Sequence, residues 1–382
     1  MDHISLPRGR TKSDAENRRR IVETATGVKL KHVSEHSFEA EAVSRNVENF
    51  IGVTQVPLGI AGPVKVRGEF ARGDFFIPLA TTEGALVATI NRGCSVVSGS
   101  GGVLVRVIRD EMTRAPVFRI EGIEHGIRVG AWLSQNLKRL QAETRSTTKH
   151  GRLLSAIPFM SGRTMFIRFS FSTADAMGMN MATIASQKMC DLIEEETGAK
   201  TISVSGNMCT DKKPSALNFI MGRGKTVLAE AVIPERVVRS KLHSSSTEIV
   251  ETAIRKNMVG SAMSLSYGFN SHFANMAAAM FIATGQDAAQ VVEASMGISL
   301  AEKIEGGLYI SVRLPALEIG TVGGGTTLPT QKEALGIMGC AGNGKALKFA
   351  EIIGSVILSG ELSTLAALSK GELAAAHAKL AR

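Results

Sequence analysis

Apolar residues recur along the chain with two different periods, and the switches between them outline its elements. Met165, Ile167, Phe169 and Phe171 alternate with other residues, the period of a strand that buries one face. Met181, Ile184, Ala185, Met189, Leu192 and Ile193 recur at helical spacing until Gly198, a residue that readily ends a helix in the left-handed conformation. Extended from Pro116 to Ser205, this reading predicts strands over 117–120, 153–158, 164–172 and 201–205 and helices over 130–143 and 180–195. The order is β-α-β-β-α-β, that of a ferredoxin-like unit.

On either side the pattern differs. Residues 1–49 are polar and read as a mostly helical lead-in, and from Asn49 the chain turns apolar and glycine-rich, which places a boundary there. The run 274–292 is apolar nearly all round through 276–284, predicting a helix buried at the centre of a larger domain, with 345–368 as its companion. The resulting fold class is α+β: a helical segment 1–49, a large domain from 50–115 and 204–365 around a central buried helix, an inserted ferredoxin-like unit 116–203, and a C-terminal segment 366–382 with few large apolar groups.

Composition narrows the function. With 44% hydrophobic and 21% charged residues, the 382-residue chain is of the soluble globular kind. No stretch reads as a membrane helix and the N-terminus has no signal-like apolar segment, so a cytoplasmic location is expected. Cys94, Cys190, Cys209 and Cys340 form no Cys-x-x-Cys pair, which predicts reduced thiols and no metal site. The net charge of +9 favours acidic partners. Its basic run from Arg8 to Arg20 carries no interleaved aromatics, which argues against nucleic acid and reads as a solvated end.

Chemistry concentrates in Ser205-Gly-Asn-Met-Cys-Thr-Asp-Lys-Lys-Pro214, where two lysines follow an aspartate on a loop closed by proline. One lysine beside carboxylates can polarise a carbonyl oxygen while the other binds a substrate anion. Glu83 and Asp287 are acids in apolar, small-residue surroundings, and with the lysines they suggest a buried acid–lysine–acid cluster. Asp175-Ala-Met-Gly-Met-Asn180 lies between a strand and a helix, where free N–H groups and Gly178 suit a dinucleotide. Gly339-Cys-Ala-Gly-Asn-Gly-Lys345 has phosphate-loop spacing, but Ala346 replaces the magnesium-binding hydroxyl, and neither Gly99–Gly102 nor Gly320–Thr326 completes a dinucleotide fingerprint. A Rossmann domain is therefore not expected.

Taken in order, several segments resemble the 3-hydroxy-3-methylglutaryl-coenzyme A reductase family in its soluble microbial form. They are Glu48-Asn-Phe-Ile-Gly52, Pro57-Leu-Gly-Ile-Ala-Gly-Pro63, Ala80-Thr-Thr-Glu-Gly84, Asn91-Arg-Gly-Cys94, Asp175 to Asn180, Ser205 to Pro214, Gly285-Gln-Asp-Ala-Ala-Gln290 and Gly320-Thr-Val-Gly-Gly-Gly-Thr326. The resemblance implies reduction of the thioester to mevalonate with two NADPH and no metal, at a homodimer interface. It puts Glu83, Lys212, Asp287 and His377 at the catalytic positions, and Arg114, Ser205, Asp211, Lys213, Lys256 and Asn275 around the hydroxymethylglutaryl group. Asp175, Met177, Gly178, Met179 and Asn180 would meet the cofactor, with Thr148 and Lys149 at its 2′-phosphate, and Asn91 and Arg92 would meet coenzyme A. His377 would sit on a mobile tail and protonate the departing thiolate. The rival reading is a coenzyme A thioester hydrolase or acyltransferase, with Cys209 as nucleophile and no nicotinamide.

Overall fold

The structure, a computed structural model, describes residues 6–371. His377 and the rest of 372–382, the greater part of the C-terminal segment, lie outside the described residues. The architecture mixes α and β, and two sheets meet in one shared strand. The larger sheet runs Arg72–Ala80, Leu58–Arg67, Val103–Arg114, Arg223–Pro234, Gly307–Leu317, Gly297–Ile304 and Gly268–Phe269. The smaller runs Lys200–Ser203, Val117–Arg119, Thr164–Ser172 and Arg152–Ser161, antiparallel throughout. The end of Val103–Arg114 joins both, pairing Met112–Arg114 with Phe169–Phe171, so Arg114 stands at the seam.

Both periodicities read from the smaller unit are present, except that Ile184 of the helical set is exposed. The alternating Met165, Ile167, Phe169 and Phe171 pack in one cluster with Val129, Leu133 and Leu140 and with Ala185, Met189 and Ile193, which removes both sets of apolar surface from water. The helix Met179–Thr197 ends at Gly198 with φ 74°. The helix expected over 130–143 is instead two, Ile123–Gln135 and Leu137–Thr147. Asn136 separates them, leaving the helical conformation at φ −110° and ψ 18° while both its backbone N–H and its side-chain amide donate to Trp132 O at 2.9 Å.

The central helix is not the one expected. The 274–292 run holds a 12-residue helix, Phe273–Thr284, which stops at Gly285 with φ 68° before a short 3-10 turn at Ala288–Gln290 and a last turn, Val291–Ala294. The core helix is Ala346–Ser369, 24 residues long. By length and composition it could cross a membrane, contrary to the sequence reading, yet residues 349–366 are buried without a break inside this fold. Its polar groups are satisfied there: Glu351 accepts from the backbone N–H groups of Glu69, Phe70 and Ala71, and Glu361 accepts from those of Ser271 and His272 and from Ser299 Oγ.

The basic lead-in is also more than a solvated end. Arg18 is buried and donates to the carbonyls of Phe50, Pro7 and Gly9, and Arg19 donates to Ile51 O. Guanidinium forks suit carbonyl clusters of this kind, and they tie the helix Lys12–Thr26 to the point where the chain turns apolar.

Candidate active site

The 205–214 loop is held in a conformation its residue types do not favour. Asn207, Thr210 and Lys212 all have positive φ, at 65°, 58° and 55°, and for β-branched Thr210 that is a strained choice. Buried Asn218 holds it, donating to Thr210 O at 3.0 Å while Thr210 Oγ1 bonds to Asn218 Oδ1. Thr113 Oγ1, one residue before Arg114, donates to Cys209 O at 3.1 Å. The loop therefore projects Lys212 as a fixed feature.

Lys212 Nζ lies 2.7 Å from Asp287 Oδ2. Asp287 reaches it because Gly285 breaks the preceding helix, and its carboxylate also caps the next turn through Ala289 N–H. The hydrogen bond to Asp287 raises the Lys212 pKa above its ordinary value; partial burial opposes this, and the charges of Asp287, Asp211 and Glu293 support it. Lys212 is thus a charged ammonium at neutral pH whose side chain keeps 42% of its exposure, reachable by a substrate oxygen.

The acid–lysine–acid cluster is only half present in one chain. Glu83 is exposed rather than buried, and its carboxylate accepts from Asn275 Nδ2 at 2.7 Å. It forms no ion pair among the described residues. The expectation of a buried acid fails because the 81–84 turn lies at the chain's surface, where its own fold supplies no cover.

Behind the loop is a cluster that sequence reasoning missed. Arg223, fully buried, lies 3.0 Å from Asp211, 3.3 Å from Glu293 and 3.2 Å from Glu318, and Gln290 donates to Asp211 at 3.1 Å. Glu293 also accepts from Lys212 N–H. Burial outweighs the attraction of Arg223 and pushes the Glu293 carboxyl up to about 7 and that of Glu318 up to about 8. The available signal was a lone acid in each of two apolar runs, Val291-Val-Glu-Ala294 and Ala316-Leu-Glu-Ile319. Asp211 is accordingly occupied by Arg223, Gln290 and, at 3.7 Å, Arg114.

Three glycine-bearing segments close around a neighbouring cleft of about 620 Å³, lined by residues 176–181, by Gly285 to Asp287 and by Gly320 with residues 322–326. Any side chain at Gly285 or Gly325 would strike the other's carbonyl, with Cβ only 2.3 and 2.5 Å from it, so glycine at both positions permits the contact. Gly178, φ 94°, occupies the N-cap of Met179–Thr197 without a side-chain cap, leaving first-turn N–H groups for an anionic or polar ligand. Met177, Met179 and Asn180 line this cleft as expected. Asp175 does not: its carboxylate accepts from Gly344, Lys345 and Ala346 N–H, which outweigh burial and hold its pKa below the usual carboxylate range. The rejected phosphate loop is thus an anion cradle whose anion is the protein's own.

The other expected contacts are dispersed. Thr148 Oγ1 accepts from His150 and Gly151 N–H, leaving Lys149 exposed on the same turn. That turn meets the helix Met179–Thr197, since a Cβ on Gly151 would lie 2.2 Å from Met181 Sδ. Ser205 Oγ sits 3.7 Å from Cys209 Sγ, and Lys213 Nζ donates to Asp211 O. Lys256 is exposed on the π-helical turn Ala253–Gly260. Asn91 accepts from Gly62 N–H, and Arg92 donates twice to Ser363 near the end of the core helix.

An ammonium fixed by a carboxylate beside a glycine-lined cleft with a free helix N-terminus is equipment for stabilising a carbonyl-derived oxyanion, that of an enzyme acting on carbonyl compounds. The family model for hydroxymethylglutaryl-coenzyme A reductase matches residues 14–382, and the chain belongs to that family. It is 51% identical over 376 residues to the 3-hydroxy-3-methylglutaryl-coenzyme A reductase of Pyrococcus abyssi, covering 96% of this chain and 92% of that one. The protein of the same name from Methanocaldococcus jannaschii is 50% identical over 379 residues, covering 97% and 94%. Among solved structures, the class II reductase of Streptococcus pneumoniae bound to NADPH superposes with a TM-score of 0.71 at 18% identity, covering 92% of this chain and 96% of that chain.

Proposed function

We propose that the chain reduces 3-hydroxy-3-methylglutaryl-coenzyme A to mevalonate and coenzyme A in two steps, consuming two NADPH. Family membership supports the reaction, and the observation that carries the assignment of the site is the 2.7 Å Lys212–Asp287 pair beside the cleft. When bound, NADPH supplies hydride. The uncapped Gly178 end of Met179–Thr197 fits it, with Met177, Met179 and Asn180 at the cleft and Thr148 and Lys149 toward the 2′-phosphate.

Lys212 takes the developing oxyanion in both reductions, with Asp287 keeping it charged and aimed. Glu83 donates a proton to oxygen once a partner subunit covers its exposed turn, which is why we assign a homodimer with the site at the interface. His377 protonates the leaving thiolate. Lys213, Lys256, Ser205, Arg114 and Asn275 surround the acyl group, Asp211 orients the loop, and Asn91 with Arg92 faces coenzyme A. Residues 116–203 serve as a ferredoxin-like cofactor unit inserted between 50–115 and 204–365, a reading supported by their strand order and helix packing. We place the enzyme in the cytoplasm.

The rival hydrolase or acyltransferase reading rests on Cys209. Burial opposes its ionisation, but Asp211 N–H, Ser205 and Arg114 outweigh it and lower the thiol pKa. The sulfur is nevertheless fully buried, out of reach of an acyl carbon. A spectrophotometric assay with the thioester substrate decides: we expect loss of reduced-nicotinamide absorbance with NADPH, and thiol release without that loss would establish the rival.

A further inference from the structure

Arg223 touches four segments at a single buried point. It contacts Asp211 in the lysine loop, Gln290 and Glu293 in the element that follows Asp287, Glu318 at the root of the glycine-rich 320–326 turn, and Met179 Sδ at 2.8 Å in the cofactor-side helix. Its own position is fixed at the first residue of the strand Arg223–Pro234, paired at Ala316 in the neighbouring strand. One rigid fork therefore spans both sides of the site. Deep burial makes the junction stiff, because a guanidinium without access to water cannot exchange a lost partner for solvent.

We propose that Arg223 is a positioning residue that holds the Lys212 loop in register with the cofactor cleft, acting through Asp211, Glu293 and Glu318. It touches no substrate. Glu293 completes the linkage, since the carboxylate that meets Arg223 also accepts from Lys212 N–H. Moving the fork moves the lysine backbone and the root of the 320–326 turn by different amounts, and a displacement of an ångström between reacting groups is enough to slow a reaction severely. The pairing also accounts for why three acids converge on one arginine: with Glu293 and Glu318 both displaced toward the protonated form, the cluster need not carry three negative charges.

The inference rests on the proposed reductase activity, and the test separates the two. In the full-length protein, Arg223→Lys keeps the charge and loses the fork. It is expected to lower kcat roughly tenfold or more in reduction of both the thioester and free mevaldehyde, with NADPH affinity within about threefold of native. Hydrogen exchange at residues 209–214 should rise in parallel. Native kcat in folded Arg223→Lys, or unchanged exchange of that segment, overturns the proposal. If the native chain oxidises no NADPH while exchange still rises in the variant, the reductase reading falls and the junction stands. Should Arg223→Lys not fold, Glu293→Gln, isosteric and with a weaker acceptor for Lys212 N–H, carries the same two measurements with the same outcomes.

Discussion

Lys212 has neighbours that set both its charge and its direction, so its removal should be felt in turnover rather than in binding. Lys212→Ala is expected to lower kcat about a hundredfold or more with KM within a few fold, because an oxyanion contact is made mainly in the transition state. Lys213, exposed and, among the described residues, bonded to Asp211 O, should raise KM when changed to alanine. Steady-state kinetics on both variants checks the division, and a matched kcat loss would reverse it. At the tail, His377→Gln should depress thioester reduction while largely sparing free mevaldehyde, which has no thiolate to protonate; equal losses would assign it elsewhere. These residues were legible as chemistry because lysines, acids and glycines stand out in neutral surroundings. Arg223, Glu293 and Glu318 were not, because a single charge in an apolar run does not say which other charge it meets.

At the scale of elements, the Gly285–Gly325 contact joins the turn bearing Asp287 to the glycine-rich 320–326 segment at the cleft. Gly325→Ala is expected to cost about 1–3 kcal/mol of stability, since Cβ would press on the backbone carbonyl of Gly285. It should also weaken NADPH binding, both readable by denaturant melts and fluorescence titration. A variant with native stability and affinity would show that the two turns are not coupled. Element types were read well where periodicity was strong, as over Thr164–Ser172. Boundaries failed where a single residue left the helical conformation, at Asn136 and at Gly285.

For the whole molecule, the buried acids set a pH dependence of stability. Glu293 and Glu318 have folded pKa values raised above their unfolded ones, so the folded state retains protons that the unfolded chain gives up. Their contribution is complete below the unfolded value and is lost as pH rises through about 7 to 8. Stability should therefore fall between pH 5 and 8 by about 1.4 kcal/mol per pH unit for each retained proton. Asp175 and Glu248, with lowered values, act only on the acid side. Urea melts across that range check the slope, and Glu318→Gln should flatten it; rising stability would contradict the assignment. The interface proposal has its own test. A randomly reassorted 1:1 mixture of Glu83→Gln and Lys212→Ala subunits should regain roughly a quarter of native activity if one site draws on both subunits, and none if each site is built from one chain.

The sequence by itself determined which segments carry chemistry, the family they belong to, and the two periods that build the smaller sheet and its helices, because each of these is written locally. Tertiary structure alone decided that Ala346–Ser369 is the long helix enclosed on all sides while 274–292 adds only the shorter buried helix Phe273–Thr284 to the same core, since burial on all sides depends on what surrounds a helix and both runs are apolar. It likewise decided that Arg18 and Arg19 are ties rather than a solvated end, that Asp175 caps a helix 169 to 171 residues away, and that Arg223 gathers three acids. Partners so distant in the chain are chosen by packing, and no local pattern of residues encodes the choice.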